Sequence, residues 1–206
     1  MNPRRTSQRR ATSEDHETRD RLLEATCRIV AEEGVGGATS RRITSEAGAN
    51  LAAITYHFGS KQSLVRAALA AEVERLVEPA LSLLEGDDDP AARLLGATQQ
   101  LLATFEQERD RSPAYLVALV EAVREPGDDG PATVVVRLRD RVATVIAELI
   151  ADGTVARWVD PRSMASLIVA AANGIALQSS LDPDGPSPTE QTLQFVQLLL
   201  SARTAA

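Results

Sequence analysis

Apolar residues recur three and four positions apart in one segment of the chain after another, the spacing of helices with one buried face. Leu22, Thr26, Ile29 and Val30 mark the inner face of a helix over about residues 15–33. Two short helices follow, at about 40–47 and 51–58. A long helix at about 61–85 comes next, and its interior Pro79 removes a backbone hydrogen bond and predicts a bend. Leu94, Leu95, Leu101, Leu102 and Phe105 set the inner face of a helix over 90–108. The β-branched run 133–136 looks strand-like, but it continues into Leu138, Val142, Val145 and Leu149 at spacings of 4, 3 and 4. Further helices at 113–124, 131–151, 161–181 and 188–202 bring the expected total to about nine, an all-α fold.

The polar punctuation agrees. Asp89-Pro90, Ser112-Pro113, Asp160-Pro161 and Ser187-Pro188 each place a capping residue before a proline whose fixed φ suits a first helical position. Acidic, glycine-containing loops separate the helices, as at Gly86 to Asp89 and Asp182 to Ser187.

Composition narrows the class. The chain has 206 residues, 44% apolar and 25% charged, enough for a sizeable core. A single cysteine excludes an intramolecular disulfide and makes a zinc–thiolate site improbable. The polar first twenty residues lack the apolar core of a signal peptide, and the run Met164–Leu177 is broken by Ser166, Asn173 and Gly174. That run is expected to be too short for a bilayer, which makes the chain a cytoplasmic protein with no membrane contact. The net charge of −7 hides an asymmetry. Residues 1–70 hold 11 basic and 8 acidic side chains, while the other 136 hold 11 and 21. A basic end on an acidic body predicts that only the N-terminal portion meets a polyanion.

The chemistry concentrates in residues 34–65. Thr39 is placed to cap the first short helix, Gly48 to end it in a left-handed conformation, and Asn50 to cap the second. Gly59 ends that second helix and Ser60 can cap the next. Ile43, Ala47, Ile54 and Phe58 are the apolar positions that lock the pair together. Two short helices set at an angle by a tight turn make a helix-turn-helix, whose second helix fits the major groove. The small side chains of Ala52 and Ala53 allow close approach to base edges and contact with thymine methyls.

Ile43, Glu46-Ala47-Gly48, Ile54, Tyr56-His57-Phe58, Gly59-Ser60-Lys61 and Leu64 together make this segment resemble the TetR family of one-component transcriptional regulators. The motifs cover about fifty residues; the rest matches the family in helix number and length alone. The resemblance implies DNA-phosphate contacts from Tyr56, His57 and Lys61. It implies further DNA contacts from Thr39, Ser40, Arg41, Asn50, Leu51, Ala52, Ala53 and Thr55. Thr44 stands where alanine is usual, and Gly36-Gly37 replace bulkier residues. Because the reading face is short of hydrogen-bonding side chains, Arg41 is the best guanine reader, through a bidentate pair. The expected organisation is a disordered basic arm at 1–14, a helix-turn-helix domain at 15–75 and a helical body at 76–206. Arg4-Arg5 and Arg9-Arg10 on the arm have two readings, solubilising charge or a DNA-tracking arm.

An isolated helix-turn-helix has no need of the acidic body, so the body has other work. Leu167, Ile168, Val169, Ile175, Ala176 and Leu177 in one late helix are more apolar than one chain easily covers. So are Leu193, Phe195, Val196, Leu198, Leu199 and Leu200 in the last. Ala165, Ala172 and Gly174 would let another helix approach closely. The resemblance implies a homodimer through these two helices, binding palindromic operator DNA, and a pocket for a small-molecule effector. Candidate pocket residues are Leu101, Phe105, Tyr115, Leu119, Val135, Leu138, Met164, Ile168 and Asn173, with Gln99 as a polar contact and Trp158 as a closing or packing residue. Repression relieved by the effector is the mode the resemblance implies.

No catalytic constellation stands out. Cys27 has no assured histidine partner, His16 and His57 are the only histidines, and Asp87-Asp88-Asp89 lacks the glycine and closing glutamate of a calcium loop. The expectation is a non-enzyme without metal or cofactor. The competing class is a helical small-molecule-binding or protein-interaction module that lacks sequence-specific DNA binding.

Overall fold

The computed structural model describes the backbone of residues 3–108, 111–124 and 130–194, and side chains from residue 14 on within them, Ser112 excepted. The described residues contain helices and no strand. The helices are α1 (Pro3–Gly37), α2 (Ser40–Glu46), α3 (Leu51–Phe58), α4 (Lys61–Leu84), α5 (Pro90–Gln107), α6 (Ser112–Arg124), α7 (Pro131–Ala151) and α8 (Pro161–Leu181). Residues 188–194 are helical and open a ninth element, α9. Phe195, Val196 and Leu198 to Leu200, expected to extend it, lie outside the described residues.

Helix α1 begins at Pro3, so the backbone of residues 3–14, expected as a disordered arm, is helical. Arginine, glutamine, alanine and glutamate in this stretch are good helix formers, and proline suits the first turn. Gly34 (φ 71°, ψ 179°) interrupts the helix, which resumes for one more turn to Gly37. Helix α4 continues through Pro79. Asp89 and Asp160 cap as predicted, Asp89 accepting from the amides of Ala91 (3.1 Å) and Ala92 (3.0 Å) and Asp160 from that of Ser163 (2.8 Å), whereas Ser112 is the first residue of α6 and its side chain lies outside those described. Ser187 and Glu190 exchange bonds in both directions, a capping box at the start of α9.

The chain forms two compact units. The first comprises residues 1–72 together with 113–132. Its core is built by Leu22, Ala25, Ile29 and Val30 of α1, Ile43 of α2, Ile54 of α3, and Leu64, Ala68 and Leu69 of α4. Each fully buried leucine or isoleucine stabilises the unit by about 1.5–3 kcal/mol. Thr26 is buried at no polar cost, because its hydroxyl donates to the Leu22 carbonyl at 2.7 Å. Helix α6 joins this unit rather than the body to which the sequence assigns it, with Ala114, Tyr115 and Ala118 buried.

The second unit comprises residues 73–112 and 133–206. Val73, Leu76, Val77, Ala80, Leu81 and Leu84 supply the buried stripe of α4 here, beside Leu102 and Phe105 of α5. Val134, Leu138, Val142, Val145 and Leu149 form the buried stripe of α7. Leu95, expected to face inward, is 61% exposed, because Leu94 and Ala97 take the inner positions of that turn. Arg93 binds elements together: its guanidinium donates to the Leu84 carbonyl at the end of α4 (3.1 Å) and pairs with Glu148 of α7. Arg137 of α7 pairs with Glu74 (2.9 Å) and Glu78 (3.3 Å) of α4, contacts that fix register more than they add stability.

Candidate nucleic-acid interface

The site rests on three local caps. Thr39 Oγ1 accepts from the Arg42 amide (3.3 Å), Asn50 Oδ1 from the Ala53 amide (2.9 Å) and Ser60 Oγ from the Ser63 amide (3.0 Å). Each cap satisfies an orphan amide, for about 1 kcal/mol. Gly48 holds φ +60° between α2 and α3, a conformation that costs an L side chain energy and leaves glycine unstrained. The turn that angles α3 away from α2 therefore follows from side chains within twelve residues of one another. Ile43 and Ala47 from α2 and Ile54 from α3 are buried, so the orientation is locked by packing as well. Phe58 is only half-buried, with the Arg19 guanidinium 5.4 Å from its ring centroid.

With Ile54 turned inward, α3 presents Leu51, Ala52, Thr55 and Tyr56 as one exposed strip. An exposed leucine beside an alanine and a threonine forms a shallow, partly apolar ridge suited to the floor of a major groove. Tyr56 is 73% exposed, so it is no packing residue; its hydroxyl donates to Asp15 Oδ2 at 3.4 Å. The His57 ring stands edge-on to it, centroids 4.8 Å apart. Thr39, Arg41 and Asn50 are also exposed, while Ser40, Ala53, His57 and Lys61 are half-buried.

The two adjacent arginines of α2 differ. Arg42 donates to Glu33 Oε2 (2.7 Å), lies 2.6 Å from Glu33 Oε1 and 3.9 Å from Glu32. Arg41 and Lys61 take part in no ion pair among the described residues. Two uncommitted cations therefore flank α3 along the chain, Arg41 in α2 and Lys61 at the start of α4. Thr44 is buried, with its hydroxyl donating to the Ser40 carbonyl at 2.9 Å, which accommodates a polar residue where the motif favours alanine.

The expected effector residues are less coherent. Phe105, Tyr115 and Leu138 are buried, and Leu101, Leu119, Val135, Met164, Ile168 and Asn173 half-buried. Tyr115 and Leu119 belong to the first unit and the other seven to the second. Neither of two described cavities, about 170 and 300 Å³, is lined by any of the nine. Burial pushes the Tyr115 phenol up to about 12. Gln99 is exposed, and Trp158 is 84% exposed, so it neither packs nor closes a pocket here. Sequence reasoning missed the lining of the smaller cavity and the Asp15 carboxylate beside Tyr56, because both pair residues from distant parts of the chain.

Comparison with known proteins assigns the two ends of the chain separately. Residues 22–68 match the family model of bacterial regulatory proteins of the tetR family, and residues 90–202 match that of the BetI-type transcriptional repressor C-terminal region. The HTH-type transcriptional regulator PksA of Bacillus subtilis is 27% identical over 174 residues, 82% of each chain. A regulator from Saccharomonospora viridis, solved in complex with choline, is 27% identical with TM-score 0.71, over 87% of this chain and 94% of that one. A transcriptional regulator from Pseudomonas aeruginosa PAO1 shares the fold at 23% identity, TM-score 0.76, over 91% and 90%.

Proposed function

The chain belongs to the TetR family of bacterial regulatory proteins, DNA-binding transcriptional regulators, and from that membership we propose that it works in the cytoplasm as a homodimeric repressor of palindromic operator DNA. A small molecule held by its C-terminal helices releases it. The observation that carries this reading is the exposed α3 ridge of Leu51, Ala52, Thr55 and Tyr56, with Arg41 on the preceding helix and Lys61 at the start of the next. Tyr56, His57 and Lys61 serve the phosphates, which position the protein; Arg41 and the ridge serve the bases, which specify the site.

Helix α8 supplies the reason for a dimer. Leu167, Ala170, Gly174, Leu177 and Leu181 succeed one another at spacings of 3, 4, 3 and 4, and all are exposed. Leu167 is 64% and Leu181 69% exposed, and Leu193 of α9 is exposed too. An apolar stripe with small residues at its centre fits a second copy of itself at short interaxial distance. Of the small residues first singled out, only Gly174 lies on this stripe; Ala165 is buried and Ala172 half-buried. At 21 residues the helix is also long and apolar enough to cross a bilayer, contrary to the expectation for its apolar run. A second copy is the better occupant, because a glycine and an alanine at the stripe's centre suit a facing helix, and a dimer carries two α3 helices, one for each half of an inverted repeat.

Selection of random duplex DNA by the purified protein tests the reading. Enrichment of an inverted repeat by a dimer is the expected result. A folded protein that enriches no sequence at low salt would overturn it in favour of a helical binding module.

A further inference from the structure

Within the first unit lies the cavity of about 170 Å³, partly open to solvent. That volume is far above the ~10–15 Å³ one water needs. Its apolar wall is Val35, Val65, Leu69 and Pro131. Its polar side is Lys61, Gln62, Arg66 and Glu121, and Arg66 is engaged within the protein, so the charge the rim has to offer is that of Lys61. The Glu121 carboxylate is already engaged, 3.3 Å from the Arg124 guanidinium. The Lys61 ammonium has no ion-pair partner among the described residues.

A net-positive rim over an aliphatic wall selects a small organic anion with a short apolar tail. We propose that this cavity is an effector site for a short aliphatic carboxylate, separate from the C-terminal pocket, and that the bound carboxylate engages Lys61 and withholds it from the DNA backbone. The proposal rests on Lys61 being a phosphate contact. One side chain then belongs to both sites, so the two ligands oppose each other through direct competition for a single charge. By linkage, DNA weakens carboxylate binding as much as the carboxylate weakens DNA binding.

Butyrate is the probe, added to the full-length protein at ionic strength matched with chloride, with butylammonium as the control of opposite charge. Calorimetry reads the cavity. The salt dependence of binding to an arbitrary duplex reads Lys61, because a phosphate contact needs no operator. Butyrate should bind and butylammonium should not, and Val35→Phe, which fills the cavity, should abolish the heat. Saturating butyrate should lower the slope of log K against log salt by about 0.9 per subunit, the share of one phosphate contact. Lys61→Ala should show the lower slope without butyrate and no further change with it. Absence of heat, or heat unchanged in folded Val35→Phe, overturns the site. Heat without a change in slope overturns its link to Lys61. An unchanged slope for Lys61→Ala without butyrate overturns the phosphate reading and the regulatory step together, leaving the calorimetry to decide the site. Should Val35→Phe not fold, Glu121→Gln decides the site instead: butyrate binding several-fold tighter supports it, and unaltered affinity overturns it.

Discussion

Glu33 holds Arg42 with both carboxylate oxygens, at 2.6 and 2.7 Å, and so ties the end of α1 to the start of α2. The pairing commits one of two neighbouring arginines within the subunit and leaves the other uncommitted. Arg41→Ala should therefore relax preference at one operator base pair by ~1–3 kcal/mol. Arg42→Ala should leave base preference intact and lower the unfolding free energy by under about 1 kcal/mol, the usual worth of an exposed pair. Affinity for a panel of single-base operator variants separates the two. Equal losses on operator and random DNA for Arg41→Ala would remove its assigned role.

Tyr56 and Lys61 should behave as phosphate ligands. Tyr56→Phe and Lys61→Ala are expected to weaken binding to every duplex by a similar factor. Lys61→Ala should also reduce the salt slope by about 0.9 per subunit, whereas Tyr56→Phe should leave it nearly unchanged, since it removes a hydroxyl and no charge. Anisotropy titrations across a salt series give both numbers.

Gly174 sits at the centre of the exposed α8 stripe, and a Cβ added there meets, beyond its own helix backbone, no atom of the described residues within 4 Å. Gly174→Leu should keep the fold of the subunit and force two facing helices apart, shifting sedimentation from dimer to monomer. The resulting monomer should lose most operator affinity while keeping weak binding to a half-site. A Gly174→Leu dimer as tight as the parent would place the interface elsewhere.

The Tyr115 phenol, buried and raised from 10 to about 12, makes stability fall in alkali. Below pH 10 both folded and unfolded chains keep the proton. Between 10 and about 12 only the unfolded chain releases it, so the folded state loses up to about 1.4 kcal/mol per pH unit across that window. Chemical denaturation at successive pH values should show a steeper decline for the parent than for Tyr115→Phe. Parallel declines would mean that the phenol reaches solvent in the native state.

The cap residues Thr39, Asn50, Ser60, Asp89, Asp160 and Ser187 are legible in the sequence because each acts on amides two or three residues away. The same holds for the positive φ of Gly48 and for the inward positions Ile43, Ala47 and Ile54, which follow from helical period alone. Short-range chemistry thus determined the all-α fold and the helix-turn-helix, and motif resemblance the family.

Tertiary structure decided what depends on distant partners. Which arginine of the Arg41-Arg42 pair is committed depends on Glu33, nine residues from Arg42. That α6 belongs with the first unit, that Leu95 faces solvent, and that α8 leaves Leu167, Leu177 and Leu181 uncovered are outcomes of packing between segments far apart in the chain. Helical period tells which residues share a face; it does not tell which face finds a neighbour. That information resides in the sum of many weak contacts across the core, each too small and too non-local to leave a pattern in the sequence.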